Sequence, residues 1–170
     1  MVKELKRVST GIPGLDEMLE GGFPVPSLIL ITGEPGTGKT TFAVQSLFEG
    51  AKNGETCLYI TVLSEPLWMV QKFLAQYKFY NQSLIDRKKI VFLDISTALR
   101  KQPTYMLNIL MREIEKYNPI RIVIDPINVM KILTDDIRAY REFLHDFIMF
   151  AKNSDRLLIA TYEMPYAKVV

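Results

Sequence analysis

The chain has 170 residues, 48% of them hydrophobic, with 21 Lys and Arg against 19 Asp and Glu. That is enough apolar material for one sizeable core in a single domain, and a net charge of +2 with dispersed basic residues gives no support to an extended nucleic-acid-binding stripe. The single cysteine, Cys57, excludes an internal disulfide, and no apolar run approaches a membrane span or a secretory leader, so a cytoplasmic location with no membrane partner is expected.

Residues 1–26 read as a preface and 27–170 as the core of the same domain. In the preface, Thr10 is placed to cap a short helix carrying Leu15, Met18 and Leu19, which Gly21 and Gly22 end before Pro24 and Pro26 stiffen the approach to the next segment.

A strand is predicted over 27–32, apolar on both faces. It runs straight into Gly33-Glu34-Pro35-Gly36-Thr37-Gly38-Lys39-Thr40-Thr41, which has the GxxxxGK[ST] spacing of a phosphate-binding loop. The glycines let backbone N–H groups converge on a triphosphate, and the helix expected to start near Lys39 adds its positive end. In the motif's usual roles Lys39 reaches the β- and γ-phosphates, the Thr40 hydroxyl ligates Mg²⁺, and Thr41 continues the first helical turn. Phe42, Val44, Leu47, Phe48 and Ala51 then recur at helical spacing up to a stop at Gly54.

Four further runs of β-branched and aliphatic residues, at 56–63, 89–95, 120–125 and 156–162, alternate with helical stripes. The stripes are Leu67, Val70, Leu74 and Tyr77, then Leu107, Leu110, Ile114 and Tyr117, then Ile137, Tyr140, Leu144, Phe147 and Ala151. Thr134 is the expected cap of the last helix, with Asp135 and Asp136 in its first turn. Alternation of this kind predicts an α/β fold built on a parallel sheet.

A triphosphate site needs a carboxylate near the metal and a second acidic group to orient or deprotonate water. Asp125, at the end of the run Ile120 to Ile124, is the candidate for the first role, because ligands of open α/β sheets bind at the C-terminal strand ends. Glu65, after the second run, is the candidate for the other, ahead of Glu163; Thr161 is either a γ-phosphate sensor or a plain strand-end residue. Asp94 reads as a turn residue, His145 as solvent-exposed, Cys57 as core, and Trp68 as packing its helix with base stacking as the alternative.

These residues resemble the KaiC-like, archaeal-type branch of the RecA superfamily of ATPases. The resemblance lies in Ser9-Thr10-Gly11-Ile12-Pro13-Gly14-Leu15-Asp16 with Leu19 and Gly21-Gly22, in the loop from Gly33 to Thr41, and in Ile122-Val123-Ile124-Asp125-Pro126. It implies a three-layer RecA-like core with a mostly parallel sheet, ATP with Mg²⁺, and homo-oligomeric rings or filaments with ATP between subunits. The activity it implies is that of an ATP-binding, ATP-hydrolysing, nucleotide-dependent oligomeric switch. Phosphoryl transfer to protein hydroxyls, a DNA-binding recombinase-like module and a non-catalytic ATP-binding scaffold are the alternatives. The family pattern carries two adjacent glutamates after the second strand, and the register puts them on Ser64 and Glu65, so one is absent. It also carries further strands beside the phosphate-loop strand. The expectation is therefore a truncated core whose strand 27–32 stands at an open edge unless a partner covers it.

Overall fold

The computed structural model describes residues 5–61, 66–96, 103–128, 131 and 136–164. A two-stranded antiparallel ribbon comes first, β1 (Lys6–Val8) with β2 (Phe23–Val25), and α1 (Leu15–Met18) lies between them in sequence. Next come β3 (Ser27–Gly33), α2 (Lys39–Lys52), β4 (Cys57–Thr61), α3 (Leu67–Leu74), α4 (Gln82–Asp86) and β5 (Ile90–Asp94). They are followed by α5 (Pro103–Tyr117), β6 (Arg121–Asp125), α6 (Ile137–Asn153) and β7 (Leu157–Glu163).

The five predicted strands form one parallel sheet in the order β3-β7-β6-β4-β5. Their sequences are apolar at successive positions because the sheet is covered on both faces. Cys57, Tyr59, Val123, Leu157 and Ile159 pack with Val44, Leu47 and Phe48 of α2. The alternate residues Leu58, Ile60, Ile122, Ile124 and Leu158 pack with Leu110 and Ile114 of α5 and with Phe143 and Phe147 of α6. The result is the three-layer α/β core. Each such side chain contributes roughly 1.5–3 kcal/mol on burial. Cys57 is fully buried, and burial pushes its thiol up to about 12, as suits a core residue. Among the described strands β3 stands at an edge: none of its residues is buried, and Leu30 is 53% exposed.

Several local expectations are corrected. Gly14, not Thr10, occupies the cap position of α1, with no side-chain cap. Thr10 instead closes a tighter turn, its Oγ1 accepting from the Ile12 N–H at 3.1 Å. Met18 is 81% exposed, because a helix of 4 residues turns only one face to the core. Asp136 is the cap of α6, its carboxylate accepting from the Arg138 N–H at 2.8 Å, while Thr134 and Asp135 lie outside the described residues. The helix α4 and the ribbon β1–β2 were not foreseen. Both are too short for periodicity to register.

One buried charge ties the preface to the core. Arg121, at 0% exposure, donates to both Glu55 oxygens (Nε at 2.6 Å, Nη2 at 3.2 Å). Its Nη1 donates to the Ser9 carbonyl at 2.6 Å and to the Ser46 carbonyl and hydroxyl, each at 3.0 Å. The preface is also braced from within, since Asp16 accepts from the Ser9 hydroxyl and from the Thr10 N–H, each at 2.8 Å. Gln45 of α2 donates to the Gly11 carbonyl at 2.7 Å. The residues Ser9 to Asp16 thus form a hydrogen-bonded turn docked on α2 and β6.

Candidate nucleotide-binding site

β3 ends at Gly33 and α2 begins at Lys39, so the intervening loop must reverse the chain within a few residues. Gly36 (φ +77°) and Gly38 (φ +87°) are left-handed, and a Cβ at either would meet open space, so the demand for glycine there is conformational. At Gly33 the demand is spatial, because a Cβ would lie 2.7 Å from Thr37 Oγ1. Thr37 Oγ1 and Lys39 Nζ both donate to the Glu34 carbonyl, at 2.8 and 2.6 Å. No side chain caps α2 at Gly38. The helix therefore brings its positive end, unblocked, to a cleft of about 540 Å³ lined by the loop.

Across that cleft stands Asp125, 7% exposed. Its Oδ2 accepts from Thr40 Oγ1 at 2.7 Å and from the Tyr59 hydroxyl at 2.9 Å, and its Oδ1 accepts from Thr161 Oγ1. The sheet register explains the convergence. Thr61 pairs with Asp125, and Thr161 lies one residue beyond the Ile124–Ala160 pair, so three neighbouring strands bring Thr61, Asp125 and Thr161 into one row. Tyr59 shares their face two residues earlier on β4, and that face looks toward α2 and Thr40. Among the described residues no Lys, Arg or His forms an ion pair with Asp125. A buried carboxylate whose partners among the described residues are hydroxyls suits a hard divalent cation that takes oxygen ligands. Among the described residues no group of three or more His, Cys, Asp or Glu could hold a metal by itself.

The far wall of the cleft is apolar and comes from α3 and the turn after it, through Met69, Val70, Phe73 and Tyr77. Phe73 is 54% exposed, which is unusual for a phenylalanine beside a packed sheet. Trp68 neither packs its helix inward nor lines the cleft; it is 61% exposed.

The loop Gly33 to Thr41 and Asp125 are thus brought together, with Lys39 and Thr40 on the cleft. Glu65 and Ser64 lie outside the described residues. Glu163 is the last residue of β7 and lines the cleft. Thr161, at the strand end, is fully buried and its hydroxyl donates to Asp125. Asp94 closes a turn by accepting from the Ser96 N–H at 2.8 Å, and His145 is exposed, its side chain at 74%. The Tyr59 hydroxyl was missed. Period-2 alternation puts Tyr59 on the face of Thr61, but which strand lies beside β4 is not written locally.

The family model for KaiC ATPases matches residues 8–168. The chain belongs to the KaiC ATPase family. It carries a nucleotide-binding domain of that family. Among curated relatives, a UPF0273 protein of Pyrococcus horikoshii is 32% identical over 136 residues, covering 78% of this chain and 55% of the relative. A UPF0273 protein of Thermotoga maritima is 32% identical over 149 residues, covering 75% and 58%. The chain thus spans little more than half the length of these relatives. The crystal structure of a KaiC-like protein of Pyrococcus horikoshii superposes with a TM-score of 0.81 at 31% identity, covering 96% of this chain and 73% of that one. The RecA-like core is therefore shared in three dimensions. Among the described residues no helix is long and apolar enough to cross a membrane.

Proposed function

We propose that this KaiC-family chain binds ATP with Mg²⁺ in the cleft between the phosphate loop and Asp125, hydrolyses it, and passes its nucleotide state to the contacts between subunits of a homo-oligomer. The observation that carries the reading is the 2.7 Å hydrogen bond from Thr40 to Asp125, residues 85 positions apart in the chain. It joins the metal-binding hydroxyl of the loop motif to a buried carboxylate at a strand end.

The residues divide the work by chemistry. Backbone N–H groups of Gly33 to Thr41 and the positive end of α2 receive the phosphates. Lys39 exchanges the Glu34 carbonyl, now 2.6 Å from its ammonium, for β- and γ-phosphate oxygens. Thr40 and Asp125 hold the cation. When bound, Mg²⁺ neutralises charge developing on the transferred phosphoryl group. The apolar wall of Met69 and Phe73 is suited to the flat face of a purine. Glu65 orients or deprotonates the attacking water, as its position in the family pattern implies. The subunit ring or filament is supported only by family membership.

The test is ATP binding and turnover in wild type, Lys39→Ala and Glu65→Gln. Lys39→Ala should weaken binding, and Glu65→Gln should keep binding while losing about 10² to 10⁴ in turnover. Equal turnover in wild type and Glu65→Gln removes the role given to Glu65. Tight binding with no turnover in either replaces hydrolysis with a scaffold role, a reading that Ser64 in place of the first family glutamate favours. Light scattering with and without ATP tests the assembly.

A further inference from the structure

Asp125 is held by more donors than the loop motif supplies. A carboxylate offers about four lone-pair positions. Thr40 and Tyr59 engage Oδ2, and Thr161 engages Oδ1. The three hydroxyls come from three different elements, α2, β4 and β7, so the plane of the carboxylate is fixed as well as its position. Two of the donors have no freedom to leave. Tyr59 is 2% exposed, with its ring 5.1 Å from that of Phe92, and Thr161 is 0% exposed. Thr40 is different. Its hydroxyl belongs to the loop and changes surroundings when phosphate and cation arrive.

We propose that Tyr59 and Thr161 are positioning residues that hold the Asp125 carboxylate in its metal-binding orientation, so that the cation meets a preset group. The proposal rests on the nucleotide–Mg²⁺ reading above. Its physical basis is that groups outside the ligand set fix the orientation of the ligands, and their loss typically costs about 10- to 100-fold in metal affinity. Tyr59 supplies the rigid donor on Oδ2 and Thr161 the donor on Oδ1. Asp125 cannot turn its plane without breaking one of them.

The test is calorimetric titration of ATP into the protein with EDTA and again with Mg²⁺, read as the ratio of the two dissociation constants. Tyr59→Phe keeps the ring and its packing on Phe92 while removing the hydroxyl; it should lower the ratio by about 10-fold or more. Thr161→Val should do the same, whereas Thr161→Ser, which keeps a hydroxyl, should retain the wild-type ratio. The Thr161 pair carries the test if Tyr59→Phe does not fold, and thermal melts report folding for each variant. A hydroxyl that served packing alone would raise both constants together and leave the ratio intact, which overturns the proposal. Asp125→Asn separates the two levels. If it leaves the ratio intact, the metal reading itself fails. If it abolishes the ratio while Tyr59→Phe and Thr161→Val retain it, the positioning proposal alone falls.

Discussion

Replacing Glu55 with alanine tests how the preface is held to the core. Glu55 accepts from Arg121 Nε at 2.6 Å and from Nη2 at 3.2 Å, and the Arg121 side chain is 0% exposed while that of Glu55 is 17% exposed. Glu55→Ala leaves a buried guanidinium without its counter-charge, for which about 3–5 kcal/mol is expected. Counting the lost bonds gives a similar figure, since two hydrogen bonds to a charged group are worth roughly 1.5–3 kcal/mol each. Partial exposure of Glu55 lets water approach, which favours the lower end, about 3 kcal/mol. For a chain of 170 residues that corresponds to a fall in Tm of roughly 6–12 °C. Urea denaturation and thermal melting followed by circular dichroism measure both quantities. The double variant with Arg121→Met should stay destabilised, because the Ser9 carbonyl and both Ser46 oxygens lose their shared donor. A loss below about 1 kcal/mol for Glu55→Ala, the range of an exposed ion pair, would refute the view that this bridge behaves as a buried one.

Gly22→Ala should cost at least about 2 kcal/mol in the same denaturation assay, because Gly22 has φ +101° and a Cβ would sit 2.2 Å from the Val8 carbonyl oxygen, a backbone atom that cannot swing aside. A melt matching wild type would show that the β1–β2 ribbon contributes little. A pH series should expose Asp16. Hydrogen bonding from Thr10 leads the causes that hold its carboxyl below the ordinary 3.8, against an opposing push from burial, with Ser9 adding to it. A folded-state value below the unfolded one means the contribution is present above pH 3.8 and disappears as pH falls through the folded-state value. Wild type should therefore be more stable than Asp16→Asn at neutral pH, and the gap in Tm should close on acidification through that window. A gap independent of pH would mean that the amide substitution disturbs packing instead.

Much of the core was legible because its signals are local. A buried parallel strand is recognisable from its own apolar run, and all five such runs became strands. The Gly36–Gly38 geometry of the loop follows from residues a few positions apart, and the helix after it from its own periodicity. The misses share one trait. A helix cap depends on where the first turn begins, which residue type does not state: the caps are Gly14 and Asp136 where Thr10 and Thr134 are expected, and the Thr10 hydroxyl accepts in a turn of its own. Residue type alone suggests that Trp68 packs inward, yet α3 turns Val70 and Leu74 inward and leaves Trp68 outside. The helical spacing of Leu67, Val70 and Leu74 marks that inward face, and Trp68 lies off it.

By itself the sequence determined the phosphate loop, the helix it feeds, the strands and the carboxylate at the end of β6, because each is specified by residues near one another along the chain. The tertiary structure decided what those parts meet. Strand order set β7 between β3 and β6 and so brought Thr161 to Asp125; β4 on the other side brought Tyr59, 66 residues away. The same order left β3 at the edge and buried Arg121 under the preface. These outcomes depend on pairings between distant segments, chosen by packing across the whole sheet. A chain read one neighbourhood at a time carries the groups that do chemistry, and only the closed core supplies the neighbours that aim them.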